Sequence, residues 1–411
     1  MKKLLIIGYV WPEPNSSAAG TRVMQLIAFF KCQQYDITFA SPAQLSEHMV
    51  DLEAHGIKVE PIALNCESFD QFIQELQPDV VLFDRFMMEE QFGWRVTEFC
   101  PQALRILDSE DLFCLRHARH DAFKQGRELV DNDLLNADMA KREVAAIFRC
   151  DLSLMISTVE IELLQRLFKV PSNLVHYSPF MFTEQELDKE KVDYTQRHHF
   201  ISIGNFRHAP NWDAVLWLKQ KIWPLIKAQL PHAQLWIYGA YPPPKATALH
   251  DEKSGFLVKG WVDDAELVMQ SARVCLAPLR FGAGIKGKLA QAMICGTPSV
   301  TTDIGAESMQ SDKPWGGAIA NDALLLSQQA IELYQNQSLW QQASDNGVDN
   351  AKSLFQLEHH YATLATELNH LGRHLSSHRQ QNFIGSMLNY HNHKSTKYMA
   401  QWIEAKNKNT Q

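Results

Sequence analysis

Three glycines and two lysines crowd into seven positions, at Gly282, Gly284, Lys286, Gly287 and Lys288. Glycine accepts positive φ at little cost, so such a turn brings the backbone close to an anion, and a helix starting near Lys288 aims unpaired N–H groups at the same point. The two ammonium groups add charge, and the chemistry predicted is phosphate recognition. An apolar run over 274–277 precedes the turn; the helix after it stops at Gly296, and Pro298 opens a strand over 299–302.

Gly282-x4-Gly287-Lys288 meets most of the P-loop pattern, but Leu289 stands where a Ser or Thr hydroxyl would hold magnesium, which argues against a P-loop NTPase. A second small-residue loop, Ser16, Ser17, Ala18, Ala19 and Gly20, precedes a helix over 21–31 whose N-terminus suits a diphosphate or sugar oxygen. A plain turn capped by Thr21 is the bland alternative. No full G-x-G-x-x-G accompanies it, so nicotinamide chemistry gains little support.

Carboxylates gather at two strand ends. Asp84 and Arg85 follow VVLF, with Glu89 and Glu90 close behind, and Asp108, Glu110 and Asp111 follow RIL. Such groups can orient a hydroxyl for acid or base work, although Ser109 and Asp111 equally suit a helix N-terminus before LFCLRHAR. Asp131-x-Asp133 sits in a charged helical stretch and reads as a solvated face. His117 with His120, and His198 with His199, lack further ligands to complete a metal set, so no metal is expected.

The elements that must position these residues alternate. Strands are expected over 4–9, 37–40, 59–62, 80–83, 105–107 and 152–156, then 200–203, 234–238, 256–258, 274–277 and 299–302, with helical stretches between. The fold class is therefore α/β, with two doubly wound sheets that bind ligands at the carboxyl ends of their strands. The polar stretch 183–197 reads as the linker. Domains are expected at 1–185 and 186–370, followed by a helical extension over 371–411 that ends in a disordered tail.

A chain of 411 residues exceeds a usual single core, and 45% hydrophobic with 21% charged residues is ordinary for a globular protein. The net charge of −8 argues against nucleic acid as a partner. Met1 to Val10 imitates a signal peptide, but Trp11, Pro12, Glu13 and Pro14 suit the exit of a buried strand better, and seven scattered cysteines read as buried thiols in the cytoplasm. Arg22, Lys31, Trp94 and Arg95 leave room for peripheral contact with the inner face of the cell membrane, with core packing as the alternative for the apolar members.

The stretch GIKGKLAQAMICGTPSVTTDIGAE, from Gly284 to Glu307, resembles the donor-site signature of GT-B glycosyltransferases, in particular family 4-like bacterial sugar transferases. MKKLLIIGYVWPEPNSSAAGTRVMQLIAFFK, FDRFMMEEQFGWR, ILDSEDLFCLRHAR, CDLSLMISTVEIELL and ISIGNFRHAPNWDAVLWL are similar to further landmarks of that family, in the usual order, over residues 1 to about 370. The resemblance implies transfer of a sugar, with retention, from a nucleotide-sugar donor to a hydroxyl of a carbohydrate or lipid-linked acceptor, in surface polysaccharide or glycoconjugate synthesis, without cofactor. It implies diphosphate contacts and catalytic charge from Arg207, Lys286 and Lys288, with Asp108 as a further catalytic candidate. Donor contacts fall to Gly20, Gly204, Asn205, Gly239, Gly284, Ile285, Gln291 and Glu307, and acceptor contacts to Asp84, Arg85, Glu110 and Asp111. Gly260, Trp261 and Val262 would line the nucleobase cleft.

The chain departs from the family at the glutamate pair, which falls here on Ala283 and Gln291, and at Phe113, where histidine is common. An amide can still bond a ribose diol, but the sugar-side carboxylate is absent, which leaves backbone amides of 283–285 and Glu307 to serve the sugar. A sugar-nucleotide epimerase on the same fold and a non-catalytic sugar-nucleotide or glycan-binding partner remain as alternatives.

Overall fold

Short aliphatic strands buried on both faces alternate with helices, the pattern of parallel sheets covered on both sides. The computed structural model describes residues 1–408, save the side chains of 392–394 and 407–408. The first sheet holds β1 (Lys3–Ile7), β2 (Asp36–Ser41), β3 (Lys58–Pro61), β4 (Val80–Asp84), β5 (Leu104–Asp108), β6 (Leu152–Met155) and β7 (Val175–Tyr177), in the order β3-β2-β1-β4-β5-β6-β7. The second holds β8 (His199–Ile203), β9 (Leu235–Tyr238), β10 (Phe256–Gly260), β11 (Ala272–Ala277), β12 (Ser299–Thr301) and β13 (Gly317–Ile319), in the order β10-β9-β8-β11-β12-β13. Every pairing is parallel. Strand order reverses between β1 and β4, and between β8 and β11, so the loops after these four strands form the crevices.

The two doubly wound sheets agree with the expectation. Its strand list lacks β7 and β13, three residues each, whose sequences VHY and GAI carry no sustained apolar run. The first helix is Ala18–Cys32, and its cap is Ser17, whose Oγ accepts from the Gly20 N–H at 3.0 Å. Thr21, the expected cap, instead donates its hydroxyl to the Pro14 carbonyl at 3.0 Å.

Arg22, Trp94 and Arg95 are buried, which removes them as membrane-facing groups; Lys31 is exposed and donates to the His55 carbonyl. Among the described residues no helix is long and apolar enough to cross a membrane. Asp131 and Asp133 pair with Arg166 and Arg127 at the surface. All seven cysteines are free; five are buried, while Cys32 is exposed and Cys66 half-buried.

The chain crosses between domains twice, side by side. Phe182 donates its N–H to the Phe355 carbonyl at 2.8 Å, and Leu357 returns an N–H to the Phe182 carbonyl at 2.9 Å. Helix Leu357–Gln381 then lies on the first sheet, where Leu364, Leu368 and Leu371 share a core with Leu4, Ile6 and Ile106. Its end is fixed by polar contacts: Arg379 places two guanidinium nitrogens 2.7 Å from the Asp151 carboxylate. Helix Phe383–Lys408 packs on helices Phe86–Phe99 and Asp138–Arg149. The apolar period fades beyond residue 370 because charged anchors replace it, and the expected disordered end concerns residues 409–411, outside those described.

Candidate active site

The turn after β11 takes positive φ at Gly282 (146°) and Gly284 (65°) before helix Gly287–Ile294 begins. Lys286 is 9% exposed, and its Nζ donates to the carbonyls of Ala283 and Gly284 in the same turn. Lys288 Nζ donates to Asn211 Oδ1 at 2.8 Å, and Asn211 in turn donates to the Asn205 carbonyl at 3.0 Å. Both lysines hold neutral partners, and neither makes an ion pair among the described residues. Burial therefore pushes both ammonium groups down to about 8, and for Lys288 the neighbouring Lys286 adds repulsion.

Gly204 and Gly239 lie against the same point. A Cβ at Gly204 would stand 2.7 Å from Lys288 Nζ, and one at Gly239 only 2.1 Å from the Gly204 carbonyl. Gln291 is half-buried on the Lys288 face of the helix, three residues on. Ile285 buries its side chain in a core with Ile156 and Phe180, leaving only backbone for a ligand. Arg207 is exposed and lies 3.5 Å over the Tyr241 ring; it is not among the hydrogen-bond partners that hold Lys286 and Lys288.

Across the cleft, Asn205 Nδ2 reaches the Ser16 carbonyl at 3.4 Å, and the Tyr241 hydroxyl donates to Glu13 at 2.8 Å. Gly20 packs on the backbone of Glu13. Trp261 stacks on His48 of the first domain, centroids 4.4 Å apart. Arg119 joins both carboxylate oxygens of Glu307 at 2.7 and 2.6 Å and the Gly282 carbonyl at 2.8 Å. His120 stacks on Phe281, centroids 4.2 Å apart. Glu307, expected at the donor sugar, thus spends its carboxylate on interdomain contact, and the two halves are closed on each other.

The acidic group behaves differently from expectation at Asp108. That residue is 0% exposed, and Arg22 Nε and Nη2 both donate to its Oδ1 at 2.9 and 2.7 Å. A carboxylate held in this way braces the β5 end through Arg22, which weighs against the catalytic role expected for it. Asp84 accepts the Tyr9 N–H at 3.0 Å, and Arg85, at a φ of 71°, stacks over the Tyr9 ring. Burial, then the neighbouring carboxylates Asp108 and Asp84, holds the Glu110 carboxyl well above its usual range. Asp111 pairs with Arg116 at 2.9 Å. Helix Phe113–Lys124 is capped by neither Ser109 nor Asp111: Glu143 takes the N–H groups of Phe113 and Cys114 at 2.9 and 2.8 Å.

Three participants escape sequence reading. His208 is exposed, with its Nε2 3.1 Å from Arg116 Nη1 of the other domain, and desolvation, then the charges of Arg116, Lys288, Lys286 and Arg85, push its imidazole down. Four cations therefore converge on the cleft. Arg119 and Asn211 supply the other two missed contacts, and nothing in their local sequence marks them, since each acts through a partner distant along the chain.

The family described as Glycosyl transferases group 1 matches residues 197–336, which span β8 to the end of the helix after β13. No curated protein matches the chain significantly. Among solved structures, it is similar to Anabaena HepE in complex with UDP-glucose, at 14% identity and a TM-score of 0.67, covering 90% of this chain and 100% of that one. It is also similar to a sucrose-phosphate synthase from Thermosynechococcus elongatus, at 15% identity and a TM-score of 0.63, covering 90% and 99%. WaaG, a glycosyltransferase involved in lipopolysaccharide biosynthesis, matches at 11% identity and a TM-score of 0.60, covering 88% and 98%. The second domain thus matches the group 1 glycosyltransferases, and the chain has the GT-B fold along nearly its whole length.

Proposed function

We propose that this chain is a family 4-like glycosyltransferase that moves a sugar, with retention, from a nucleotide-sugar donor to a hydroxyl of a glycan or lipid-linked acceptor in surface polysaccharide or glycoconjugate synthesis. The observation that carries the donor assignment is the pair Lys286, buried, and Lys288, half-buried, which stand at a helix N-terminus with no ion pair among the described residues. Keeping such charges buried is costly unless an anion completes them. A nucleoside diphosphate is that anion, and its charge grows as the glycosidic bond breaks, so fixed cations stabilise the transition state more than the ground state.

The base and ribose fall to Gly204, Gly239 and Gln291, and the sugar to the backbone of 283–285. We assign acceptor contacts to Arg85, Glu110 and Asp111 at the ends of β4 and β5, where Asp84, buried and accepting the Tyr9 N–H, would act through Arg85. The chemistry asks for no cofactor and no obligatory metal, because lysines fill the cationic role. HepE binds UDP-glucose, which makes uridine nucleotide sugars the first donors to screen.

A thermal-shift screen across nucleotide sugars tests the reading, since a ligand at 100 times its dissociation constant stabilises by about 2.7 kcal/mol. The expected result is stabilisation by one base series that the Lys286→Ala/Lys288→Ala double variant loses. Stabilisation by no nucleotide, or equal stabilisation of the double variant, would overturn it. Conversion of a free nucleotide sugar without acceptor would favour epimerisation instead.

A further inference from the structure

We propose that Glu160 is a positioning residue for transfer: reaching from the first domain, its carboxyl holds the Gly284 amide, so that the donor turn is complete only when the domains are closed. The proposal rests on 282–287 being the donor turn.

Glu160 belongs to helix Thr158–Leu167 and is 0% exposed. Its Oε1 accepts two N–H groups, Leu112 at 3.1 Å within its own domain and Gly284 at 2.7 Å in the other. Oε2 is buried and has no hydrogen-bond partner among the described residues. The turn is seated closely around this contact: a Cβ at Gly284 would stand 2.9 Å from the Asp111 Cβ and 3.0 Å from the Ile156 Cδ1. Ser308, two loops along in the second domain, docks on the same helix start, its Oγ 2.8 Å from Ser157 Oγ and accepting the Val159 N–H at 3.1 Å. The second domain's own residues therefore leave the Gly284 N–H unbonded unless the first domain arrives.

That N–H lies two residues from Lys286 and three from the helix start, where a donor's sugar and diphosphate would sit. An open molecule would bind the nucleotide through Lys288, Gly204 and Gly239, then gain an ordered turn on closure. Burial, followed by repulsion from Asp111, pushes the Glu160 carboxyl up to about 8, so the neutral amide of glutamine is a near copy of it.

Hydrogen exchange on the ligand-free full chain tests this without any donor. In Glu160→Ala, and in Glu160→Asp, whose oxygens are withdrawn by about 1.5 Å, amides of 283–287 should exchange about tenfold or more faster, as expected for loss of a buried hydrogen bond. Glu160→Gln should stay near wild type. With a donor in hand, Glu160→Ala should lower kcat while the nucleoside diphosphate dissociation constant changes less than twofold. Unchanged exchange in the alanine and aspartate variants would overturn the proposal. So would loosening by Glu160→Gln equal to that by alanine, or faster exchange spread evenly over β5 and β6, which would make Glu160 only a cap of the first domain.

Discussion

Gly287, the first residue of one domain's helix, meets Ala18, the first residue of the other domain's helix: a Cβ added at Gly287 would stand 2.6 Å from that of Ala18. Two helix N-termini thus converge, and their positive ends reinforce the lysines. Gly287→Ala should hinder closure and lower transfer about tenfold, the size of a 1 to 2 kcal/mol steric cost. Thermal unfolding should stay near wild type. Adding Ala18→Gly should restore the rate; a double variant as slow as the single would refute the contact as the cause.

The depressed lysines predict a falling alkaline limb. With both ammonium groups near 8, they carry charge at pH 7 and lose it as pH rises through 8, so diphosphate affinity should weaken between pH 7 and 9. Calorimetry at the two values should show tighter binding at pH 7 and proton uptake on binding at pH 8. The Lys286→Ala/Lys288→Ala variant should bind weakly at both and lose the pH dependence.

Arg119 and Glu307 close the cleft in bidentate fashion, each 15% exposed. Arg119→Ala should shift the ligand-free molecule toward open forms by about 1 kcal/mol, and small-angle scattering should record a larger radius. Glu307→Gln should do the same if closure is its main role. Reduced turnover at an unchanged radius would return Glu307 to the donor sugar.

Gln291 replaces a glutamate common in the family. Gln291→Ala should weaken nucleoside diphosphate binding by about 0.5 to 1.5 kcal/mol, a hydrogen-bond-sized amount, and Gln291→Glu should keep or improve it. A 2′,3′-dideoxy ligand should erase the difference between wild type and the alanine variant. A persisting difference would mean that Gln291 serves something other than ribose.

The fold was legible because its signals are local: apolar strands, the glycine turn and the helix stop at Gly296 each speak within a few residues. The missed strands Val175–Tyr177 and Gly317–Ile319 are three residues each, too short to signal alone, and form where neighbouring strands offer ladder partners. The same limit applies to the site. Lys286 and Lys288 are visible as a motif, but the sealing of Asp108 by Arg22, 86 residues away, and the capture of Glu307 by Arg119, 188 residues away, are properties of the closed fold. Glu143 caps a helix 29 and 30 residues upstream, which no reading of that helix's own N-terminus could supply.

The return of helix Leu357–Gln381 to the first sheet makes the N-terminal domain discontinuous. During synthesis, the ribosome releases β1 to β7 long before Leu364, Leu368 and Leu371 exist, so the hydrophobic surface they cover stays open while the whole second domain is made. The first domain is begun first and finished last. Truncation near residue 356 should therefore leave the second domain folded but the apolar face of the first uncovered, so that the shortened chain aggregates, and vectorial folding becomes a point at which a chaperone would be needed.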